Sequence, residues 1–113
     1  MSGTSDADRE ETRREFGEAV NMKAGDLEAW LATDESKSVG WSDDGGESVG
    51  HASGRRIVEL LHTKKADLSD DDLAHMRKVV GYVHRHTAQR PKGDVTRTKW
   101  RYSLMNWGHD PTK

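Results

Sequence analysis

Apolar residues recur along this chain at spacings of three and four, in short runs separated by polar, Gly-containing breaks. Phe16, Ala19 and Val20 form the first stripe and predict a helix from about Ala7 to Val20. Asn21 suits its end, because Asn tolerates left-handed backbone. Leu27, Trp30 and Leu31 repeat the spacing and predict a short second helix near Ala24 to Thr33. The stretch TDESKSVGWSDDGGES then clusters Gly, Ser and Asp without periodicity, so it reads as a loop of about 14 residues. Trp41 stands alone in it, either as an anchor for the loop or as an exposed contact residue.

Ser48 offers an N-cap to a third helix, on which Val49, Ile57, Leu60 and Leu61 share one broad face. Gly50 and Gly54 each weaken its first half by up to about 1 kcal/mol against Ala, or else admit a close neighbour. The strongest pattern is LSDDDLAHMRKVVGYVHRH. Ser69 and Asp72 make a capping box, Asp70, Asp71 and Asp72 fill the positive first turn, and Leu73, Met76, Val80 and Val83 form the stripe. Pro91 and Gly93 stop this helix. In the final segment, RTKWRYSLMNWGHDPTK, Trp100, Leu104 and Trp107 fall at i, i+4 and i+7, with Arg97 and Arg101 on a neighbouring stripe. Both Trp therefore face one way, as a core stripe does; a base-stacking platform is the other reading.

Together these elements predict an all-α, single-domain bundle of four to five short helices with a long Gly/Asp/Ser loop. Residues 1–8 are expected to be a flexible N-terminus and residues 9–112 the helical domain. The expected core is Phe16, Leu27, Trp30, Leu31, Ile57, Leu60, Leu73, Met76, Val80, Val83, Trp100, Leu104 and Trp107.

Composition sharpens this picture. Only 17 of the 113 residues are Leu, Ile, Val or Phe and 34% are charged, a balance that leans toward disorder. The net charge of −2 removes the repulsion that disorder ordinarily needs, so a modest core with loose ends fits better. There is no Cys, hence no disulfide and no thiolate chemistry. No apolar run has the length of a signal peptide or a membrane span, so a cytoplasmic protein without membrane contact is expected.

The charge is unevenly placed. Residues 1–50 carry 13 acidic and 5 basic residues, whereas residues 51–113 carry 7 acidic and 13 basic residues and all six His. Such asymmetry either folds on itself or presents a surface to a polyanion. Twelve of these basic residues make up the group that a polyanion surface would draw on: Arg55, Arg56, Lys64, Lys65, Arg77, Lys78, Arg85, Arg90, Lys92, Arg97, Lys99 and Arg101. Arg55, Arg56, Arg85, Arg90, Lys92, Lys99 and Arg101 are the candidate nucleic-acid contacts among them.

Catalytic and metal chemistry find little support. His84 and His86 point about 200° apart around a helix, and His75 and His86 share a direction about three turns apart. His51, His62 and His109 belong to other segments, so no metal site and no cofactor are expected. Walker, dinucleotide and nucleophile-elbow patterns are absent. The glycines of DDGGESVGHASGRR precede a helix and could hold an anion, but the acidic DDGGE opposes phosphate. Glu47, His51 and Asp72 are the residues an acid–base site would draw on, and nothing in their spacing demands one.

The runs FGEAVNM, LEAWLATDESKSVG, GESVGHASGRRIVELL, KADLSDDDLAHMRKVVGYVHRHTAQRP and WRYSLMNWGHDP resemble a family of short proteins defined as a domain of unknown function. The resemblance covers roughly residues 14 to 112, and some members are labelled DNA-binding. It implies one folded unit that includes the C-terminal Trp helix. Relatives tend to start the second helix with Thr-Pro where this chain has Lys23 and Ala24, which implies a looser helix start here. The functional expectation is a non-enzymatic nucleic-acid-binding protein, DNA foremost. The alternative is a protein-interaction module or homodimer.

Overall fold

The computed structural model describes residues 6–39 and 47–113. Among them the chain forms six α-helices and no strand. These are α1 (Asp6–Ala19), α2 (Ala24–Leu31), α3 (Asp34–Ser38), α4 (Val49–His62), α5 (Asp70–Thr87) and α6 (Lys99–Asn106), with a 3-10 turn at Lys65–Asp67. The all-α, single-domain bundle expected from the sequence is the fold observed, with one helix more than counted. Asp6 to Asp8 of the expected loose end are already helical. Trp41 and the acidic run of residues 43–46 lie outside the described residues.

Side-chain caps set most of the helix starts. Ser48 Oγ accepts the His51 N–H at 3.1 Å, and Thr98 Oγ1 accepts the Arg101 N–H at 3.2 Å. Ser69 and Asp72 close the predicted capping box, their backbone N–H groups donating to each other's side chains at 3.0 and 3.1 Å. Lys23 gives α2 no side-chain cap, in keeping with the missing Thr-Pro start.

The additional helix corrects the reading of TDESKSVG as loop. Thr33 Oγ1 caps α3 by accepting the Ser36 N–H, Asp34 and Glu35 occupy its first turn, and Lys37 sits in its last. Only Ser36 turns fully inward along this helix, so it carries no apolar stripe from which to predict it.

α1 packs along α5 and α2 along α4, while α6 touches α2, α3, α4 and α5. α5 therefore buries a wide band, Leu73, Met76, Val79, Val80 and Val83, because helices cover it from two sides. Val79 belongs to that band although the narrow predicted stripe passes it by. Ile57 and Leu60 face the core from α4, but Val49 and Leu61 do not; they are 44% and 37% exposed, at the edges of the predicted face. Trp107 is buried, whereas Trp30 and Trp100 are partly buried against the core.

Two glycines make the close approaches. Gly54 of α4 lies so near α6 and α2 that an added Cβ would sit 2.5 Å from the Asn106 carbonyl oxygen and 2.6 Å from Leu31 Cδ2. Gly108 ends α6 in left-handed backbone, φ 80°, against Val20 and Ile57.

Candidate nucleic-acid interface

α5 and α6 interleave their aromatic side chains. Reading across both helices, His75, Trp107, Tyr82, His86 and Trp100 form one ladder of near-parallel rings, with interplanar angles of 13° to 17°. Successive centroids are 6.2, 4.3, 5.0 and 6.2 Å apart. The spacing permits this: His75, Tyr82 and His86 recur at seven and four residues on α5, and Trp100 and Trp107 at seven on α6. Arg90 caps the Trp100 end, its guanidinium carbon 5.3 Å from the ring centroid. Trp100 Nε1–H also donates to the His86 carbonyl oxygen at 2.7 Å, satisfying an acceptor in the last turn of α5. Trp100 is thus a seam between two helices whose outer face already carries a cation, rather than an open stacking platform.

Burial pushes the His86 imidazole below its ordinary value, with Trp100 acting the other way, and His86 Nε2 is buried without a hydrogen-bond partner. Burial likewise lowers His75, reinforced by the charges of Arg56 and Lys78 and opposed by Asp72. Burial raises the Tyr82 phenol, against the hydroxyl of Ser103.

Six of the seven candidate cations separate into two groups, and Arg101 stands apart. Arg85, Arg90 and Lys99 lie where the end of α5 meets the start of α6, a junction fixed by the His86–Trp100 and Arg90–Trp100 contacts, and Lys92 lies on the segment that links the two helices. None of these four forms an ion pair among the described residues, and neither do Lys78 and Arg97. Arg55 and Arg56 lie on α4, paired with Glu47 at 2.6 Å and with Asp72 at 3.3 Å. Asp72 precedes Arg85 by thirteen residues on α5, about 20 Å along the axis, so Arg56 belongs to the far end.

Arg101 is committed within the fold. Its Nε and Nη2 donate to the two Asp110 carboxylate oxygens at 3.2 and 3.1 Å, and its Nη1 donates to the Thr96 carbonyl at 2.9 Å. Burial raises the Asp110 carboxyl, but Arg101 and Thr112 outweigh it and hold the group at about 2.

His51 is similarly engaged. Its Nδ1 pairs with Glu47 and its Nε2 lies 2.7 Å from the Leu31 carbonyl oxygen, so both ring nitrogens have partners inside the fold. Among the described residues no three His, Asp or Glu side chains converge as a metal set. No described helix is long and apolar enough to cross a membrane.

A groove of about 470 Å³ opens beside the ladder, lined by Val49 and Gly50 of α4, Lys78, Tyr82 and Arg85 of α5, and Ser103, Asn106 and Trp107. Lys78 lies outside the seven sequence candidates. The signal that finds it is its seven-residue distance from Arg85, which puts both on one side of α5 with Tyr82 between them.

The chain belongs to the family described as "Protein of unknown function (DUF3140)", whose model matches residues 15–105. A search of the curated proteins found no match, and neither did a search of the solved structures.

Proposed function

We propose that this protein is a non-enzymatic nucleic-acid-binding domain, with DNA as its ligand. The observation that carries this reading is the group Arg85, Arg90, Lys92 and Lys99, unpaired with any described carboxylate at one end of the α5–α6 pair. Their position near the end of α5 also suits the negative pole of that helix, which accounts for one or two cations there but not for Lys92 and Lys99 beyond it. Arg55 and Arg56 could join only by exchanging a carboxylate for a phosphate, and Arg101 is left out of the contact set.

Four phosphate contacts give a duplex-DNA affinity that falls by about 3 to 4 logarithmic units per decade of salt. Fluorescence anisotropy of labelled duplex, repeated from low to physiological salt, measures this slope. Replacing Lys92 and Lys99 together by Ala is expected to reduce it by about 2. Absence of binding at low salt would end the proposal. A protein-interaction module or homodimer is the second reading. It requires a mass that rises with concentration in sedimentation equilibrium.

A further inference from the structure

The groove beside the ring ladder shares Arg85 with the salt-sensitive contacts and adds a chemistry that they do not use. Trp107 is stacked near-parallel with both His75 and Tyr82, and Tyr82 with both Trp107 and His86. Rings stacked in a row hold one another by their faces and leave their edges outward, and ring edges are the electropositive part of an aromatic system. The Trp107 Nε1–H has no acceptor among the described residues, yet it is not among the buried orphan atoms. It lies beside Gly50, where an added Cβ would be 3.1 Å from it. Gly50 thus leaves a donor accessible at the floor.

The other polar groups are of the same kind. Lys78 and Arg85 stand on the rim about 10 Å apart along α5, one on each side of Tyr82. Asn106 turns its amide inward to Trp30 and Ser36. Ser103 adds a hydroxyl that also meets the Tyr82 phenol, no acidic residue among the described residues lines the groove, and Val49 and Tyr82 make much of the remaining wall apolar.

Resting on the nucleic-acid reading above, we infer that this groove holds one unpaired base of single-stranded nucleic acid, with the phosphates on either side of it at Lys78 and Arg85. The lining mirrors that ligand. A base presents an electron-rich face to ring edges, acceptor atoms to the indole N–H, and an anion on each flank. A base inside a duplex has both faces stacked and cannot enter, so the groove distinguishes single strands from duplex. An acidic, Leu-rich peptide meets the same two cations but lacks the planar face that the row of ring edges matches.

The test compares a labelled single-stranded oligonucleotide with the duplex made from it, using the full chain at one salt concentration. The expected result is single-strand binding about tenfold tighter than duplex binding. Lys78→Ala, which removes only a rim charge, and Ser103→Leu, which fills the groove, are each expected to bring single-strand affinity down to the duplex level while duplex affinity holds. Circular dichroism shows whether Ser103→Leu folds, and Lys78→Ala carries the test independently. Equal binding of the two nucleic acids by the unmodified protein overturns the inference, as does a preference that survives Lys78→Ala. Either result leaves the salt-dependent duplex binding standing. Displacement of the strand by adenosine monophosphate supports a base site, and displacement by an alternating Leu/Glu peptide but not by the mononucleotide overturns it.

Discussion

Asn106 is 1% exposed, and its amide ties three helices together. Its Oδ1 accepts from Trp30 Nε1 of α2 at 2.8 Å and from the Ser36 hydroxyl of α3, while its Nδ2 donates to the Ser36 carbonyl at 3.0 Å. Asn106→Ala strands an indole N–H, a hydroxyl and a carbonyl in the interior, so a loss of about 2 to 4 kcal/mol in urea unfolding is expected. Asp110 stabilises in a pH-dependent way. Its folded carboxyl lies at about 2 against an ordinary 3.8, so its contribution is complete above the ordinary value and is lost as pH falls through the folded one. The shift corresponds to about 2 kcal/mol. Asp110→Asn should be less stable by about that amount at pH 7 and should lack the stability loss between about pH 4 and 2 seen with the native chain. Urea midpoints measured across that range check both parts.

At the scale of elements, α4 reverses a familiar expectation. Ala in place of a mid-helix Gly ordinarily stabilises by about 1 kcal/mol. Gly54→Ala instead drives a methyl into the Asn106 carbonyl and Leu31, and should cost more than about 2 kcal/mol. Gly17→Ala in α1 meets nothing within 4 Å and should follow the ordinary rule. Thermal unfolding of the two variants is expected to move in opposite directions. The contrast marks how far the sequence could be read. α5 was legible because its caps, stripe and stop signals agree. α3 was not, since its one inward residue, Ser36, finds its partner seventy positions away in Asn106. The cations of the candidate site were legible as a group, but their division was not. Arg101 looks like its neighbours until Asp110 is placed, and the ladder depends on how α5 and α6 slide together, which no single-helix pattern contains.

Across the whole molecule, contacts distant in sequence join the start of the chain to its end. Asn21 Nδ2 donates to the Asp110 carbonyl, Asn21 Oδ1 accepts the Asp110 N–H, and His109 Nδ1 lies 2.7 Å from the Ala19 carbonyl oxygen. α1 is thereby fastened both along α5 and to the segment after α6. Unfolding followed by far-ultraviolet circular dichroism and by near-ultraviolet circular dichroism is expected to superimpose as one transition. A separate early loss of helix would show α1 leaving alone. The acidic first half reaches across to the second through Glu10 with Lys65 and Glu47 with Arg55, and neither pair touches the α5–α6 end. The charge asymmetry of the sequence therefore survives folding as a local surplus of cations. The ring ladder beside that surplus also gives the protein a built-in optical gauge. His86 stacks on Trp100, and an imidazolium quenches indole emission where a neutral imidazole does so weakly. Since burial holds His86 below its ordinary 6.5, the intrinsic fluorescence should stay constant through neutral pH and dim only in more acidic solution. His86→Gln, in a chain still folded, should reduce that dimming to the part His75 causes at Trp107, so the molecule can report on its own α5–α6 seam without an attached dye.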